Sequence, residues 1–262
     1  MTLSLEAALR AKRSEGKKLL VPYITGGFPG WADCVRAAAA NGADAIEIGV
    51  PFSDPVMDGP VIQEASWKAL EEGATPPSIL DEAAELDVEI PLAVMTYYNL
   101  AYRAGHERFA AMLMRAGVSG CILPDLPYVE SAPWRLAATA EGVEPVQLAA
   151  PTTPDHRLPE LCASSRGFVY AVGLMGVTGN RAELAESATV IAQRCMDVSD
   201  MPTLVGVGVS TPEQGAQVTQ VADGCVVGTS IVKKMLDGSG AEGVGELVAE
   251  FRGAIDGANV PA

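Results

Sequence analysis

Histidine is scarce in this sequence, and the residue patterns of several common catalytic sites are missing. His106 and His156 are the two histidines, and both fall at predicted helix starts, so neither a His-rich metal site nor a Ser-His-Asp triad finds support. No lysine ends a predicted strand at a catalytic face, which removes the amine of a Schiff-base aldolase. Neither G-x-G-x-x-G after the first predicted strand nor a Walker motif occurs, which weighs against dinucleotides and nucleoside triphosphates.

The sequence also has few basic residues and no long apolar run. Lys and Arg total 18 against 33 Asp and Glu, a formal net charge of −15, and such a chain repels nucleic acid and anionic membranes. No segment approaches the ~18 consecutive apolar residues of a membrane span, and the first residues lack a signal-peptide pattern. The five cysteines form no C-x-x-C pair, which fits a reducing compartment. We therefore expect a cytoplasmic protein that binds neither nucleic acid nor membranes.

What the sequence does contain is a regular alternation of short β-rich runs and Ala/Leu/Glu-rich stretches. The predicted strands are 21–25, 45–50, 91–97, 120–124, 145–149, 168–172, 202–207 and 224–228. The predicted helices between them are 31–41, 61–72, 107–116, 131–140, 181–197 and 212–220. Eight strands that alternate with helices favour a single (β/α)₈ TIM barrel, although an open doubly wound sheet alternates in the same way. We predict one α/β domain over 1–262, with an additional N-terminal helix and a frayed tail around 257–262.

Glu47 is an acidic residue inside an apolar strand. Because strand side chains alternate, Glu47 shares a face with Ala45 and Gly49, while the branched residues take the other face and suit packing against helices. Glu47 is therefore predicted to point into the barrel near the carboxyl ends of the strands, where barrel active sites form and where Gly49 would leave room for a ligand. Burial would raise the pKa of this carboxyl and suit it to proton transfer. The alternative is a buried glutamate bonded to a hydroxyl or paired with an arginine.

Asp58 and three Gly-rich turns are the other candidate site features. D-G is a common turn dipeptide, so Asp58 alone is more typical of a turn, and only its nearness to Glu47 makes it a candidate partner. The turns are 173–179, 206–210 and 227–230. Each alone is ordinary turn chemistry, but barrels often bind phosphate after strands seven and eight. Together these features favour carboxylate acid–base chemistry on a phosphorylated small molecule.

The string E-I-G-V-P-F-S-D-P-V-M-D-G-P-V-I-Q (47–63) resembles the signature of the tryptophan synthase α chain family. The resemblance continues through P-Y-I-T-G-G-F-P (22–29), M-T-Y-Y-N (95–99), P-D-L-P (124–127), A-P-T-T-P-D (150–155), G-V-T-G (176–179) and G-V-G-V-S (206–210). It implies a (β/α)₈ barrel that cleaves indole-3-glycerol phosphate into indole and glyceraldehyde 3-phosphate.

The resemblance also implies roles for individual residues. Glu47 matches the family's acid–base glutamate, and Asp58 matches the aspartate that binds the indole N–H and stabilises positive charge on the ring. The matched aromatic positions that line the site are Tyr97 and Tyr170. The matched positions of the phosphate-binding turns are Thr178, Gly179, Gly208, Gly228 and Thr229. Two departures from the family pattern are Leu-Met at 174–175, in the loop that closes over the site, and Met57, in the loop that meets the partner subunit.

The family works with a partner, a pyridoxal-phosphate β chain that receives indole in an α₂β₂ tetramer and makes L-tryptophan. The resemblance therefore implies that the cofactor belongs to the partner and that this chain carries none. Two other interpretations are a free-standing lyase that releases indole and a non-catalytic barrel that only activates a β chain. The presence of both Glu47 and Asp58 argues against the non-catalytic barrel, which has no need of either carboxylate.

Overall fold

Eight parallel strands pair in chain order, and the eighth returns to the first, so the sheet closes into a barrel. The computed structural model describes residues 2–173, 181–206 and 208–258. The strands are β1 Leu19–Thr25, β2 Ile46–Gly49, β3 Leu92–Met95, β4 Val118–Ile122, β5 Glu144–Ala149, β6 Val169–Ala171, β7 Thr203–Val205 and β8 Gly224–Val227. Each predicted strand overlaps one of these. The predicted (β/α)₈ barrel is confirmed, and the open doubly wound sheet is excluded.

Helices surround the barrel and occupy several of its loops. They are α1 Leu5–Ser14, α2 Trp31–Ala40, α3 Pro60–Glu71, α4 Pro76–Ala83, α5 Tyr98–Ala104, α6 His106–Arg115, α7 Ala132–Glu141, α8 Leu158–Ser164, α9 Arg181–Met196, α10 Pro212–Val218, α11 Thr229–Leu236 and α12 Gly240–Gly257. The predicted N-terminal helix and the six other predicted helices are all present. Five further helices lie outside the predicted ranges: α4, α5, α8, α11 and α12.

The alternation of strand side chains divides the apolar residues between two cores. Ile46, Ile48 and Val50 belong to the core between the strands and the helices. Ala45 belongs to the smaller core inside the barrel. The predicted parity of β2 is therefore confirmed, and it places Glu47 on the interior side.

Helix α1 closes the amino-terminal end of the barrel. Leu5 and Leu9 are fully buried members of the interior core, and a Cβ at Gly120 or Gly167 would collide with the side chain of Leu5. The carboxylate of Glu144 accepts hydrogen bonds from the Ser4 hydroxyl at 2.6 Å and from the Glu6 backbone N–H at 2.7 Å. With this end closed, the barrel interior is reached from the carboxyl ends of the strands.

No helix in the described ranges is both long enough and apolar enough to cross a membrane. All five cysteines are buried free thiols, and burial raises the pKa of Cys225 to about 12. A thiol with so high a pKa stays protonated and unreactive at neutral pH, which fits a structural role.

Candidate active site

A cavity of about 270 Å³ lies at the carboxyl ends of the strands. Apolar side chains form much of its wall, including Ile62 of α3, Met95 of β3, Ile122 of β4 and Leu148 of β5. The sequence-predicted residues that line it are Glu47, Asp58, Tyr170, Gly208, Gly228 and Thr229. An apolar cleft with a few polar groups is typical of a site for a small organic ligand.

Glu47 lies in the middle of β2, between Tyr23 of β1 and Ala93 of β3. It is 1 % exposed, and neither carboxyl oxygen has a hydrogen-bond partner among the described residues. Burial, assisted by the negative charge of Asp58, raises the pKa of Glu47 to about 8. Within the described chain, the alternative of a glutamate held by a hydroxyl or an arginine is therefore wrong. A carboxyl in this state is mostly protonated at neutral pH and can both give and accept a proton.

Gly49 has a different role from the one expected of it. A Cβ at this position would overlap the phenol of Tyr23, whose hydroxyl occupies the space above the glycine. The room that Gly49 leaves is thus filled by a side chain of this chain and not kept open for a ligand. The structure corrects that expectation, and it adds Tyr23 to the polar groups on the cavity wall.

Asp58 is held in place by the loop that joins β2 to α3. The side-chain amide of Gln63 donates to the backbone carbonyls of Asp58 at 2.8 Å and Pro55 at 3.2 Å. Burial raises the pKa of the Asp58 carboxyl, and a hydrogen bond from Tyr97 lowers it in part. Asp58 is therefore more than a turn residue, because its side chain is oriented on the wall of the cavity that also contains Glu47.

Tyr97 stands behind this loop rather than on the cavity wall. It is buried just before α5, its hydroxyl accepts a hydrogen bond from the Met57 backbone N–H at 2.8 Å, and its ring stacks on Phe52 at 5.1 Å between centroids. The contacts of Tyr97 with Met57 and Phe52 support the loop, and its hydroxyl lowers the pKa of the Asp58 carboxyl in part. Its predicted contact with a ligand stays a prediction.

Substitution of Tyr97→Phe is expected to raise the pKa of Asp58, because it removes the hydrogen bond that favours the ionised form and leaves the burial unchanged. Carboxyl ¹³C chemical shifts followed against pH would measure this change. Tyr102→Phe removes the same hydroxyl from an exposed residue of α5 and serves as the control. An Asp58 titration that is identical in both variants would contradict the assigned contact.

The Gly-rich turns after β7 and β8 meet at one edge of the cavity. Gly208 has a φ of +85°, a left-handed conformation that favours glycine. Gly228 immediately precedes α11, and Thr229 is the first residue of that helix, so the unpaired N–H groups of its first turn begin at the cavity. Among the described lining residues there is no Lys or Arg. An anion at this edge would therefore be bound by backbone N–H groups, hydroxyls and the helix dipole.

Of the remaining predicted site residues, Tyr170 belongs to β6, and Thr178 and Gly179 lie outside the described ranges. Tyr170 of β6 lines the cavity, and a Cβ at Gly206 would overlap its ring, so a glycine again makes room for a tyrosine. Burial raises the pKa of Tyr170, which keeps its phenol protonated. Thr178 and Gly179, together with the Leu-Met departure at 174–175, lie outside the described residues.

Sequence reasoning missed Tyr23, although a usable signal was present. The alternation rule that placed Glu47 inside the barrel also applies to β1, where Val21, Tyr23 and Thr25 alternate with Leu20, Pro22 and Ile24. Val21 belongs to the interior core, and Leu20 and Ile24 belong to the outer one. Tyr23 also packs with the outer group, although it lines the cavity. Applying the rule to every strand would have placed Tyr23 inside, level with Glu47.

Comparisons with known proteins agree on one family. Residues 9–253 match the family model described as tryptophan synthase alpha chain. The tryptophan synthase alpha chain of Streptomyces coelicolor is 44 % identical, over 97 % of each chain, and that of Thermobifida fusca is 42 % identical, over 94 % of each. The solved tryptophan synthase subunit alpha of Legionella pneumophila has a TM-score of 0.87 and 30 % identity, covering 97 % of this chain and 99 % of that one. A solved chain of tryptophan synthase from M. tuberculosis has a TM-score of 0.86 and 32 % identity, covering 96 % and 97 %.

Proposed function

This chain belongs to the tryptophan synthase alpha chain family, and on that premise we propose that it cleaves indole-3-glycerol phosphate into indole and glyceraldehyde 3-phosphate with Glu47 and Asp58. The observation that carries the proposal is the state of Glu47. Its carboxyl is buried, has no hydrogen-bond partner in the described chain and has a pKa raised to about 8. A buried acid without a partner lowers the stability of the fold. A role in proton transfer to a bound substrate explains why such an acid is present here.

The reaction breaks the bond between C3 of the indole ring and the neighbouring carbon of the glycerol chain, which bears a hydroxyl. Protonated Glu47 gives its proton to C3, and the ring becomes an indolenine-like cation. The resulting carboxylate then takes the proton of the glycerol hydroxyl, a C=O bond forms at that carbon, and the electron pair of the breaking C–C bond returns to the ring. Glu47 ends protonated, as it began, so one residue completes the cycle.

Asp58 supports this step through its charge. Protonation of C3 places positive charge on the indole nitrogen, and a carboxylate beside the N–H stabilises that charge as it develops. The hydrogen bond from Tyr97 favours the ionised form of Asp58 that this role requires. The same negative charge raises the pKa of Glu47, so Asp58 also helps to keep the proton on the acid.

The phosphate group is assigned to the turns after β7 and β8. Gly208 and Gly228 allow its oxygens to approach the backbone, and the first turn of α11 at Thr229 supplies N–H donors and the positive end of a helix dipole. Thr178 and Gly179 are included on the family resemblance alone. The absence of Lys and Arg from the described part of this wall suits a site that must also release a phosphorylated product.

The partner is proposed to be a tryptophan synthase β chain, in an α₂β₂ tetramer in the cytoplasm. The β chain would carry the pyridoxal phosphate and convert the released indole into L-tryptophan. Three exposed apolar residues follow β2, β3 and β4 on the side of the cavity: Val56 (77 % exposed), Tyr102 (64 %) and Val129 (58 %). Exposed apolar side chains grouped around a cavity favour a protein interface. Val56 lies next to Met57, whose backbone N–H donates a hydrogen bond to the Tyr97 hydroxyl. A partner chain that contacts Val56 would therefore act on Asp58 through Met57 and Tyr97.

Indole release from indole-3-glycerol phosphate is expected from the chain alone, and a cognate β chain is expected to accelerate it by about 5- to 150-fold, the usual range of coupling between sites. Stopped indole assays with and without the β chain would measure both rates. Val56→Asp is expected to weaken the acceleration without changing the rate of the chain alone, and Leu136→Asp, at an exposed position on α7, is the control. Full activity with no response to the β chain would indicate a free-standing lyase, and no cleavage in either assay would contradict the proposed function.

A further inference from the structure

Tyr23 lies between the two parts of the site that the proposed reaction connects. Strand β1 is paired with β8 on one side and β2 on the other, and Tyr23 is the register partner of Glu47. On the β8 side, Pro22 pairs with Val227. The next residue is Gly228, in the turn 227–230 to which the phosphate is assigned; this turn is called the phosphate turn below. The side chain of Tyr23 lines the cavity between these two positions.

The side chain of Tyr23 extends from Gly228 to β2, the strand that carries Glu47. The base of its side chain lies beside Gly228, where an added Cβ would come 3.6 Å from the Cβ of Tyr23. Its hydroxyl lies over Gly49, on the next strand beyond β1, in the space where a Cβ would collide with it. The ring thus forms the cavity wall from the phosphate turn to the strand of Glu47.

Buried polar atoms without a protein partner are concentrated at this place. The described residues contain five such side-chain atoms, and three of them are Thr25 Oγ1 and the two carboxyl oxygens of Glu47. Thr25 lies beside the phenol of Tyr23, and its hydroxyl lowers the pKa of that phenol in part. Burial is the larger effect and raises the pKa, so the Tyr23 hydroxyl keeps its proton. Buried polar groups are costly unless they are hydrogen-bonded, and their grouping on β1 and β2 indicates a polar ligand segment there.

We propose that the hydroxyl of Tyr23 hydrogen-bonds the hydroxyl on the middle carbon of the substrate's glycerol chain. The inference rests on the proposed function, which puts the phosphate at Gly228 and the reacting hydroxyl at Glu47. The glycerol chain then crosses β1, and its middle carbon faces the phenol. Tyr23 would fix the rotation of this chain and direct the reacting hydroxyl towards Glu47, which makes it a residue for positioning and substrate specificity.

The test compares two substrates in Tyr23→Phe, which removes one oxygen and keeps the ring. One is indole-3-glycerol phosphate, and the other is its analogue without the middle hydroxyl, which keeps the C–C bond, the reacting hydroxyl and the phosphate. In Tyr23→Phe, kcat/KM is expected to fall about tenfold for the first substrate and less than about twofold for the second. Tyr128→Phe, in which the hydroxyl is removed from a residue that stacks on Arg135 away from the cavity, should change neither value.

The substrate comparison separates the proposed contact from a structural effect. A loss that is equal for both substrates, or no loss for either, would overturn the contact with the middle hydroxyl while leaving the proposed function intact. Equal thermal unfolding midpoints of the variant and the parent would show that the fold is retained. If the unaltered chain cleaves neither substrate, alone or with a β chain, the proposed function and this inference both fail.

Discussion

Glu47→Gln is expected to lower kcat for indole release by about 10³-fold, within the range typical for loss of a general acid–base group. The amide fills the same volume, but it can neither protonate C3 of the ring nor accept the proton of the glycerol hydroxyl. Because the substitution leaves the cavity wall intact, KM should change little. Steady-state measurements of indole release on the chain with saturating β chain would give both values.

Glu64→Gln is the matched control for this substitution, because it makes the same chemical change on the exposed face of α3, where Glu64 pairs with Lys68 at 2.9 Å. Its kcat should equal that of the parent. A Glu47→Gln enzyme that retains more than about a tenth of the parental rate would contradict the assignment of Glu47 as the acid and base, since one decade corresponds to only ~1.4 kcal/mol of barrier.

Glu47→Gln is also expected to be more stable than the parent at neutral pH. The folded pKa of Glu47 is about 8 against an ordinary value of 4.5, so the folded state holds the proton more tightly than the unfolded state. The parent therefore loses stability as the pH rises from about 4.5 towards 8, and the loss reaches about 3 kcal/mol at pH 7. Glu47→Gln lacks this loss, and urea unfolding at pH 5 and pH 7 would show the difference. Such a gain in stability combined with a loss of activity is typical of a functional buried acid.

Asp58→Asn is expected to lower kcat by about 10²- to 10³-fold, the cost of removing one electrostatic contact to charge that develops in the transition state. The side chain keeps its shape and its place beside Tyr97, but it no longer stabilises the cationic ring. The pKa of Glu47 should also fall, because the charge of Asp58 contributes to raising it. The pH dependence of kcat, measured alongside its value at the optimum, would record both effects.

Asp54→Asn is the control for Asp58→Asn, because it neutralises an exposed carboxylate in the same loop, one that accepts a hydrogen bond from the Ser53 hydroxyl at 2.6 Å. It should leave kcat and its pH dependence unchanged. If both substitutions reduced the rate equally, the effect would belong to the overall charge of the loop, and the specific role of Asp58 would be wrong.

The strands and the position of Glu47 could be predicted because they follow from a local rule. Alternation of side chains in β2 separates Ile46 and Ile48 from Glu47, and this needs no knowledge of distant residues. The contacts of Asp58 could not be obtained in this way. They depend on Tyr97, which follows β3 and acts on the Asp58 carboxyl after β2 because these two strands are adjacent in the barrel.

The unpredicted helices show where local signals fail. Helix α12 contains five glycines, a composition that disfavours a helix in isolation. Its stability comes from packing on α2, where a Cβ at Gly245 would collide with the side chain of Asn41, the residue that follows α2. Helix α12 ends at Gly257, where the predicted frayed tail begins. Residues 259–262 lie outside the described ranges, so the frayed tail stays a prediction. The shorter unpredicted helices α4, α5, α8 and α11 span only seven or eight residues each, too few for a clear helical period.

Glu47 is expected to carry its proton in the resting enzyme. Infrared difference spectra recorded across a pH titration would test it directly, because a protonated carboxyl has a C=O band that an ionised one lacks. We expect a carboxylic acid band that disappears with a midpoint near the pKa of about 8, that shifts to lower pH in Asp58→Asn and that is missing in Glu47→Gln. A spectrum at neutral pH in which Glu47 is already ionised would contradict the account.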